Sequence, residues 1–596
     1  MPRLRVIDDE VLERPFNAGQ MMRIFTFLKP YRGAVAFACG LMVVAALASL
    51  AMPKIMSVAV DDITRQNIAR LPLLIGAMAL LSLVSAVCIR YRARILDTAG
   101  FKAIADLRQT LFNHVQDLPF SFFDSRSAGK IMVRIINDVN SLNGLLTDGI
   151  VNVVIDVITL VFLVAFMLAT NWKLTLISFA ILPFLLLLLF GLKRRIRVNW
   201  QNVRAKLSNM NGYLHESLAG MRVTQAFKRE KVNGEIFTDT NQDIRSSWMR
   251  AIRLNNLFWP FLDIVSAVGT ILVLVFGVKM LERYAGPGGI TIGSLLAIIW
   301  YLGRFWEPLN NLSNFYNSLL TAMASAERIF EILDTPVTIK SEPGAPDLPP
   351  IQGEVRFEDV SFGYDSGRLV LKNVNFAIKP GQTVALVGPT GAGKSTVVNL
   401  LSRFYDVTGG AVRIDGHDIR KVELNSLRRQ MSVMMQDSFI FSGTIMDNIR
   451  YGKLDASDEE VMAAAKAVHV HDVIMQMEKG YGTEVNERGS RLSVGQRQLI
   501  SFARALLNDP AILILDEATS SIDTKTELLI QQALETLLKG RTSFVIAHRL
   551  STIRKADLIM VVQDGDIIER GTHEELLAAK GEYFRLCDAQ YRFLYS

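Results

Sequence analysis

The chain has 596 residues, of which 50% are hydrophobic and 21% charged, with a mean hydropathy of +0.26. That mixture excludes a disordered chain, a collagen-like repeat and an ordinary soluble enzyme, and it implies two populations of residues. Three cysteines without paired spacing exclude a disulfide scaffold, and the net charge of +7 fits either nucleic acid or basic loops beside an anionic membrane.

Residues 1–33 read as an N-terminal cytoplasmic segment. Arg23, Lys29 and Arg32 precede the first apolar run without a small-residue cleavage site, and Gln20–Leu28 reads as an amphipathic helix lying along the membrane surface. Four runs that follow carry no charge: Ala34–Pro53, Leu71–Ile89, Leu174–Leu192 and Tyr284–Gly303. Two more, Gly149–Trp172 and Leu254–Val278, each carry one acid, Asp156 and Asp263. A bilayer core about 30 Å thick takes about 20 apolar residues per helix. The pattern therefore predicts a transmembrane domain over residues 34–333, with six spans near 34–54, 71–90, 149–171, 173–193, 256–280 and 290–310.

The segments after the second and fourth spans are long and basic, with Arg90, Arg92, Arg94 and Arg108 in one and Lys193, Arg194, Arg195, Arg197 and Arg204 in the other. The positive-inside rule places them, and both termini, in the cytoplasm. Topology thus accounts for the basic surplus, and no nucleic-acid partner is expected. Ile95–Leu118 and Arg197–Gly212 read as helices projecting from the bilayer, the first ending in an aromatic tip at Pro119–Arg126.

Residues 334–350 are a Pro-rich linker, and residues 351–596 alternate short strands and helices without a membrane-length apolar run. There, Thr383–Val387 leads into Gly388, Pro389, Thr390, Gly391, Ala392, Gly393, Lys394, Ser395 and Thr396, a complete phosphate-binding loop in strand–loop–helix context. Its glycines let backbone N–H groups converge on phosphates. Lys394 suits the β/γ-phosphates of ATP, and Ser395 suits Mg²⁺. The apolar strand Ala511–Leu515 delivers Asp516, suited to the Mg²⁺ shell, and then Glu517, suited to polarise an attacking water as general base. His548, after another apolar strand, fits a γ-phosphate contact or a structural role. Tyr364 fits either stacking on a base or a place in the core.

With Leu492, Ser493, Val494, Gly495 and Gln496 just ahead of the acidic strand, the chain resembles an ABC exporter half-transporter: an α-helical membrane domain of six transmembrane helices with long cytoplasmic extensions, fused to an α/β P-loop ABC ATPase. The resemblance covers nearly all of residues 18–590. It implies that Tyr364 stacks on adenine, that Gln436 touches Mg²⁺ and senses the membrane domain, and that Asp523 communicates between two ATP sites. It also implies that Thr483–Gly489 contacts helix tips around Phe122–Arg126 and Asn211–Glu216. Because the family pairs its nucleotide domains head to tail, a second half-transporter chain is implied. Val494 stands where the family signature has glycine, while Glu517 is kept. That combination favours a heterodimer over a homodimer.

The function implied is ATP-driven export of hydrophobic or amphipathic drugs or lipids by alternating access across a plasma membrane, a bacterial inner membrane being favoured. Peptide or siderophore export, or an ATP-gated channel or regulatory ATPase on the same scaffold, are the alternatives. Asp156, Asp263, Trp259 and Trp300 are the substrate candidates among the spans, with membrane lipids as neighbours.

Overall fold

The computed structural model describes residues 18–180, 182–283, 290–364, 367–436, 438–486, 489–516, 524–547 and 550–591. It divides into two compact units: residues 1–116 with 128–335, and residues 117–127 with 336–596.

The first unit is helical. α1 (Ala18–Thr26) precedes α2 (Arg32–Thr64) and α3 (Leu71–Asp117). The short α4 (Phe120–Asp124) caps the first tip and belongs with the second unit. α5 (Ile150–Phe179), α6 (Leu182–Ala219), α7 (Met221–Ala226), α8 (Glu230–Asn256), α9 (Phe258–Arg283) and α10 (Ile292–Leu333) follow. Among the described residues, four stretches are long and apolar enough to cross a membrane: Lys29–Thr64, Ile68–Asp117, Val151–Phe179 and Asp263–Leu281. The expected fourth span straddles α5 and α6, where the side chains of residues 184–190 lie outside the description. The expected sixth span opens α10, which carries Arg304, Glu307 and an internal Pro308.

Local chemistry sets the breaks. Asn171 is extended (φ −164°, ψ 109°) inside α5, between the expected third and fourth spans. Its side-chain oxygen accepts from the Leu174 N–H at 3.0 Å, so it caps the helix that restarts there. The second projecting helix differs from expectation. Asn211–Glu216 lies inside α6, and the chain turns only at Gly220 and again at Lys228, whose φ is +52°. One glycine, Gly212, does not end this helix.

Apolar burial contributes little to helix association within lipid, so close packing and hydrogen bonds hold these helices together. α10 packs along α2 and α5 through Ile298 and Tyr301, both fully buried. The Tyr301 hydroxyl donates to the Leu50 carbonyl at 2.8 Å. Pro53 lacks an N–H, which leaves the Ser49 carbonyl without its helical donor. Arg304 Nη1 supplies that donor at 2.8 Å. At the other end of α2, Gly293 lies so near that a Cβ would sit 2.0 Å from the Ser57 carbonyl oxygen, and its N–H donates to Asp61 at 2.9 Å.

Ion pairs fasten the C-terminal end of α10. Arg23 of α1 makes a two-pronged contact with Asp334 (2.6 and 2.7 Å) and lies 4.1 Å from the centre of the Phe330 ring. The hydrogen bond from Arg23 holds the Asp334 carboxyl below its ordinary range, so the pair persists through mild acid and is lost only as pH falls through that depressed value. Deeper in, the carboxylate of Asp138, only 8% exposed, accepts from both Arg328 and Ser325.

In the second unit, β1 (Val355–Phe362), β2 (Leu371–Ile378), β4 (Gly409–Ile414) and β5 (His417–Asp418) form an antiparallel sheet in the order β2-β1-β4-β5. β3 (Thr383–Val387), β6 (Met431–Met434), β9 (Ile512–Asp516), β10 (Thr542–Ile546), β11 (Leu558–Gln563) and β12 (Asp566–Gly571) form a second sheet, β12-β11-β3-β10-β9-β6, parallel except at its β12 edge. β7 (Gly443–Thr444) pairs with β8 (Glu484–Val485).

The central strands are apolar on both faces. Val384, Leu386, Ile512, Ile514 and Phe544 point into one core with Phe357 and Leu400. Ala385, Val387, Leu513, Leu515 and Val545 point into the other with Leu499 and Phe502. Such continuous apolar runs mark a parallel sheet covered on both sides, and each buried Leu or Ile contributes roughly 1.5–3 kcal/mol.

Replacing Arg328 with Ala leaves the Asp138 carboxylate buried with the Ser325 hydroxyl donating to it and without the Arg328 cation beside it. The expected cost is about 3 kcal/mol, read as a lower thermal midpoint, and Asp138→Asn in the same chain should recover part of it.

Candidate functional site

The C-terminal edge of the parallel sheet gathers the motifs. Leu386 of β3 and Asp516 of β9 are both in register with Ile546 of β10, and Leu515 is in register with Met434 of β6. Four adjacent strands therefore end at one level. The loop Gly388–Gly393 follows β3, Gln436 lies two residues beyond β6, Asp516 closes β9, and Ala547 follows β10. Ligands of doubly wound sheets bind at this edge.

The loop is held in a shape that glycine permits. Gly388 has φ +146°, and an added Cβ would lie 2.1 Å from the Val562 carbonyl oxygen of the neighbouring β11. Gly393, at φ +113°, precedes α11 (Lys394–Leu401). Lys394 is 8% exposed, and its Nζ donates to the Gly388 and Pro389 carbonyls at 2.8 and 2.9 Å. Burial pushes its ammonium below the ordinary lysine value, while the nearby Asp516 carboxylate acts in the opposite direction. A buried cation under a helix N-terminus is a receptor for an anion. Ser395 is exposed at the start of that helix, Gln436 is exposed, and Asp516 is half-buried. Their hydroxyl, amide and carboxylate oxygens are the hard donors that Mg²⁺ accepts.

Tyr364 is 47% exposed beside this loop. Its ring meets Phe362 and Tyr405 edge-on, with centroids 4.9 and 5.1 Å apart, and its hydroxyl lies 3.2 Å from Thr396 Oγ1. Tyr405 in turn donates to Asp124 of α4 at 2.6 Å, and Phe120 stacks on Phe404 at 5.2 Å. No motif or spacing foretells this chain of contacts from the first tip to the phosphate helix. Burial, and then the Asp124 carboxylate, push the Tyr405 phenol above its ordinary value, so it remains a neutral donor.

Ser493 caps α12 (Val494–Leu507) through a reciprocal pair: its hydroxyl accepts from the Gln496 N–H at 3.2 Å, and its N–H donates to Gln496 Oε1 at 2.9 Å. Leu492 and Gly495 are buried, whereas Val494 is 48% exposed. Glu517, Asp523 and His548 lie outside the described residues.

The membrane candidates separate. Asp156 lines a cavity of about 250 Å³ bordered by α2, α3, α5 and α10. Asp263 and Trp300 are exposed on α9 and α10 and do not line it, and the Trp259 side chain lies outside the description. Arg92, Arg304, Glu307 and Asn311 do line it; sequence reading assigned Arg92 to a basic cytoplasmic loop and passed over the other three. Arg304 directly follows the charge-free run Tyr284–Gly303, where an ionisable residue near the bilayer is a signal in itself.

Replacing Gly388 with Ala should strain the loop by on the order of 1–3 kcal/mol. The expected readout is weakened equilibrium binding of a fluorescent ATP analogue.

The description "ABC transporter transmembrane region" matches residues 35–309, and "ABC transporter" matches residues 371–520. The chain is 48% identical to the ABC transporter ATP-binding protein YknV of Bacillus subtilis over 594 residues, covering 99% of this chain and 98% of that protein. It is 38% identical to the ATP-dependent lipid A-core flippase of Syntrophus aciditrophicus over 586 residues, 97% of this chain and 96% of that one. The solved structure of a bacterial Atm1-family ABC exporter with ATP bound superposes with a TM-score of 0.73 at 30% identity, covering 94% of this chain and 98% of that chain. A helical membrane region joined to an ABC ATPase, matched end to end by such relatives, places this multi-pass membrane protein in the ABC transporter family as a half-size exporter that couples ATP hydrolysis to transport.

Proposed function

We propose that the chain exports amphipathic lipids or drugs from the inner leaflet of a bacterial inner membrane, as one half of a dimer with its ATPase unit and both termini in the cytoplasm. The observation that carries the nucleotide part is the common level at which β3, β10, β9 and β6 end, with a buried Lys394 among them. Lys394 and the loop Gly388–Thr396 hold the ATP phosphates, and Tyr364 stacks on the adenine. Ser395, Gln436 and Asp516 hold Mg²⁺, which offsets phosphate charge when bound. Glu517 polarises the attacking water, His548 contacts the γ-phosphate, and Asp523 links the two ATP sites. The opposite chain's phosphates face Leu492–Gln496. The flippase relative supports a lipid or lipid-like substrate.

Glu517→Gln should leave ATP binding intact while steady-state hydrolysis falls on the order of 10²–10³-fold. Undiminished turnover would remove Glu517 from the role of base.

The partner is a different half-transporter. Val494 leaves the capping pair of Ser493 and Gln496 in place, so the helix start is sound, yet it presents a branched side chain outward where the family signature presents none. A partner with an intact signature would complete this chain's own site. Native mass of the complex purified from its own cells should show two unlike chains, and this chain purified alone should hydrolyse ATP poorly. A homodimer with full activity would overturn the pairing.

A further inference from the structure

Resting on the export reading above, we propose that the cavity between α2, α3, α5 and α10 recognises the head of an amphiphile bearing a primary or secondary ammonium, with Asp156 as the specificity-determining acceptor. The cavity lies within one chain and holds about 250 Å³. Its apolar wall includes Met42, Leu50 and Leu163, and its polar wall includes Arg92, Arg304, Asp156 and Glu307.

The charges are not equally engaged. Arg304 donates to the Ser49 carbonyl at 2.8 Å, the acceptor that Pro53 frees. Arg92 donates to Asn152 Oδ1 at 3.0 Å. Asp156 Oδ1 receives only a long contact, 3.4 Å, from Asn311 Nδ2. Asp156 Oδ2 is buried and accepts no hydrogen bond. Pro308, also on the wall, leaves the Arg304 carbonyl without its helical donor. Arg92 and Arg304 keep their charge while donating to neutral acceptors, and the buried Asp156 Oδ2 lacks a donor. Against that oxygen an anionic head would be repelled, whereas an N–H-bearing cation both neutralises it and hydrogen-bonds to it. A quaternary ammonium carries the charge without the donor, so the site should separate the two head types.

The test uses the full complex in lipid nanodiscs and three probes of one chain length: dodecylammonium, dodecyltrimethylammonium and dodecanol, in competition binding. Dodecylammonium should bind roughly tenfold more tightly than either of the others. Asp156→Asn should collapse that preference while dodecanol binding persists, and Asp156→Glu should keep most of it. Comparing probes on one variant separates recognition from folding. Equal affinity for all three heads, as when a water or a proton satisfies the carboxylate, would overturn the proposal. So would a preference that survives Asp156→Asn or is lost instead in Asp263→Asn. ATP-driven movement of a fluorescent phospholipid in proteoliposomes distinguishes the two readings. Its absence beside an intact ammonium preference counts against export alone, and its presence without that preference counts against the cavity alone.

Discussion

The ammonium of Lys394, held beneath the phosphate loop, constrains much of the second unit. A buried charge must be answered, and here the Gly388 and Pro389 carbonyls answer it. That answer needs a loop curled back on itself, which fixes glycine at position 388 against the Val562 carbonyl and at position 393 before the helix. The loop can sit there only because β3 lies between β10 and β11 in a sheet covered on both faces. The same sheet order delivers Asp516 one strand beyond β10, close enough to act on the Lys394 charge. Anion affinity, strand order and the two apolar cores thus form one arrangement.

That arrangement extends to the first helix tip. Asp124 fixes the Tyr405 hydroxyl, Tyr405 meets Tyr364 edge-on, and Tyr364 reaches Thr396 on the phosphate helix. Neutral hydroxyls and aromatic edges suit such a linkage because they hold orientation without introducing a charge that competes with the phosphates. Movement of α4 and occupation of the nucleotide site would therefore bear on the same tyrosine pair.

The sequence carried the fold class because both halves write their period plainly. Charge-free runs need no context to be read, and a glycine loop between a strand and a helix admits few other meanings. What escaped was tertiary pairing. Nothing in the order of residues couples Pro53 to Arg304, since the bond exists only once α2 and α10 lie side by side. Arg92, Glu307 and Asn311 join Asp156 for the same reason, from helices far apart in the chain. The second tip, expected at Asn211–Glu216 from the resemblance alone, lies within α6, because a single glycine such as Gly212 costs a long helix only about 1 kcal/mol.

Val494 shows how a local departure can leave the fold intact and still change what it presents. By helix propensity a valine at the first turn is no worse than the glycine of the family signature, and the Ser493–Gln496 pair caps the helix as before. Selection on folding alone would therefore pass over the change. Its consequence lies outward, because Val494 is half exposed beside the cap. Any group approaching that helix start along its axis meets two extra methyls where glycine would offer bare backbone. The cost falls on whatever docks there, not on the chain that carries the residue.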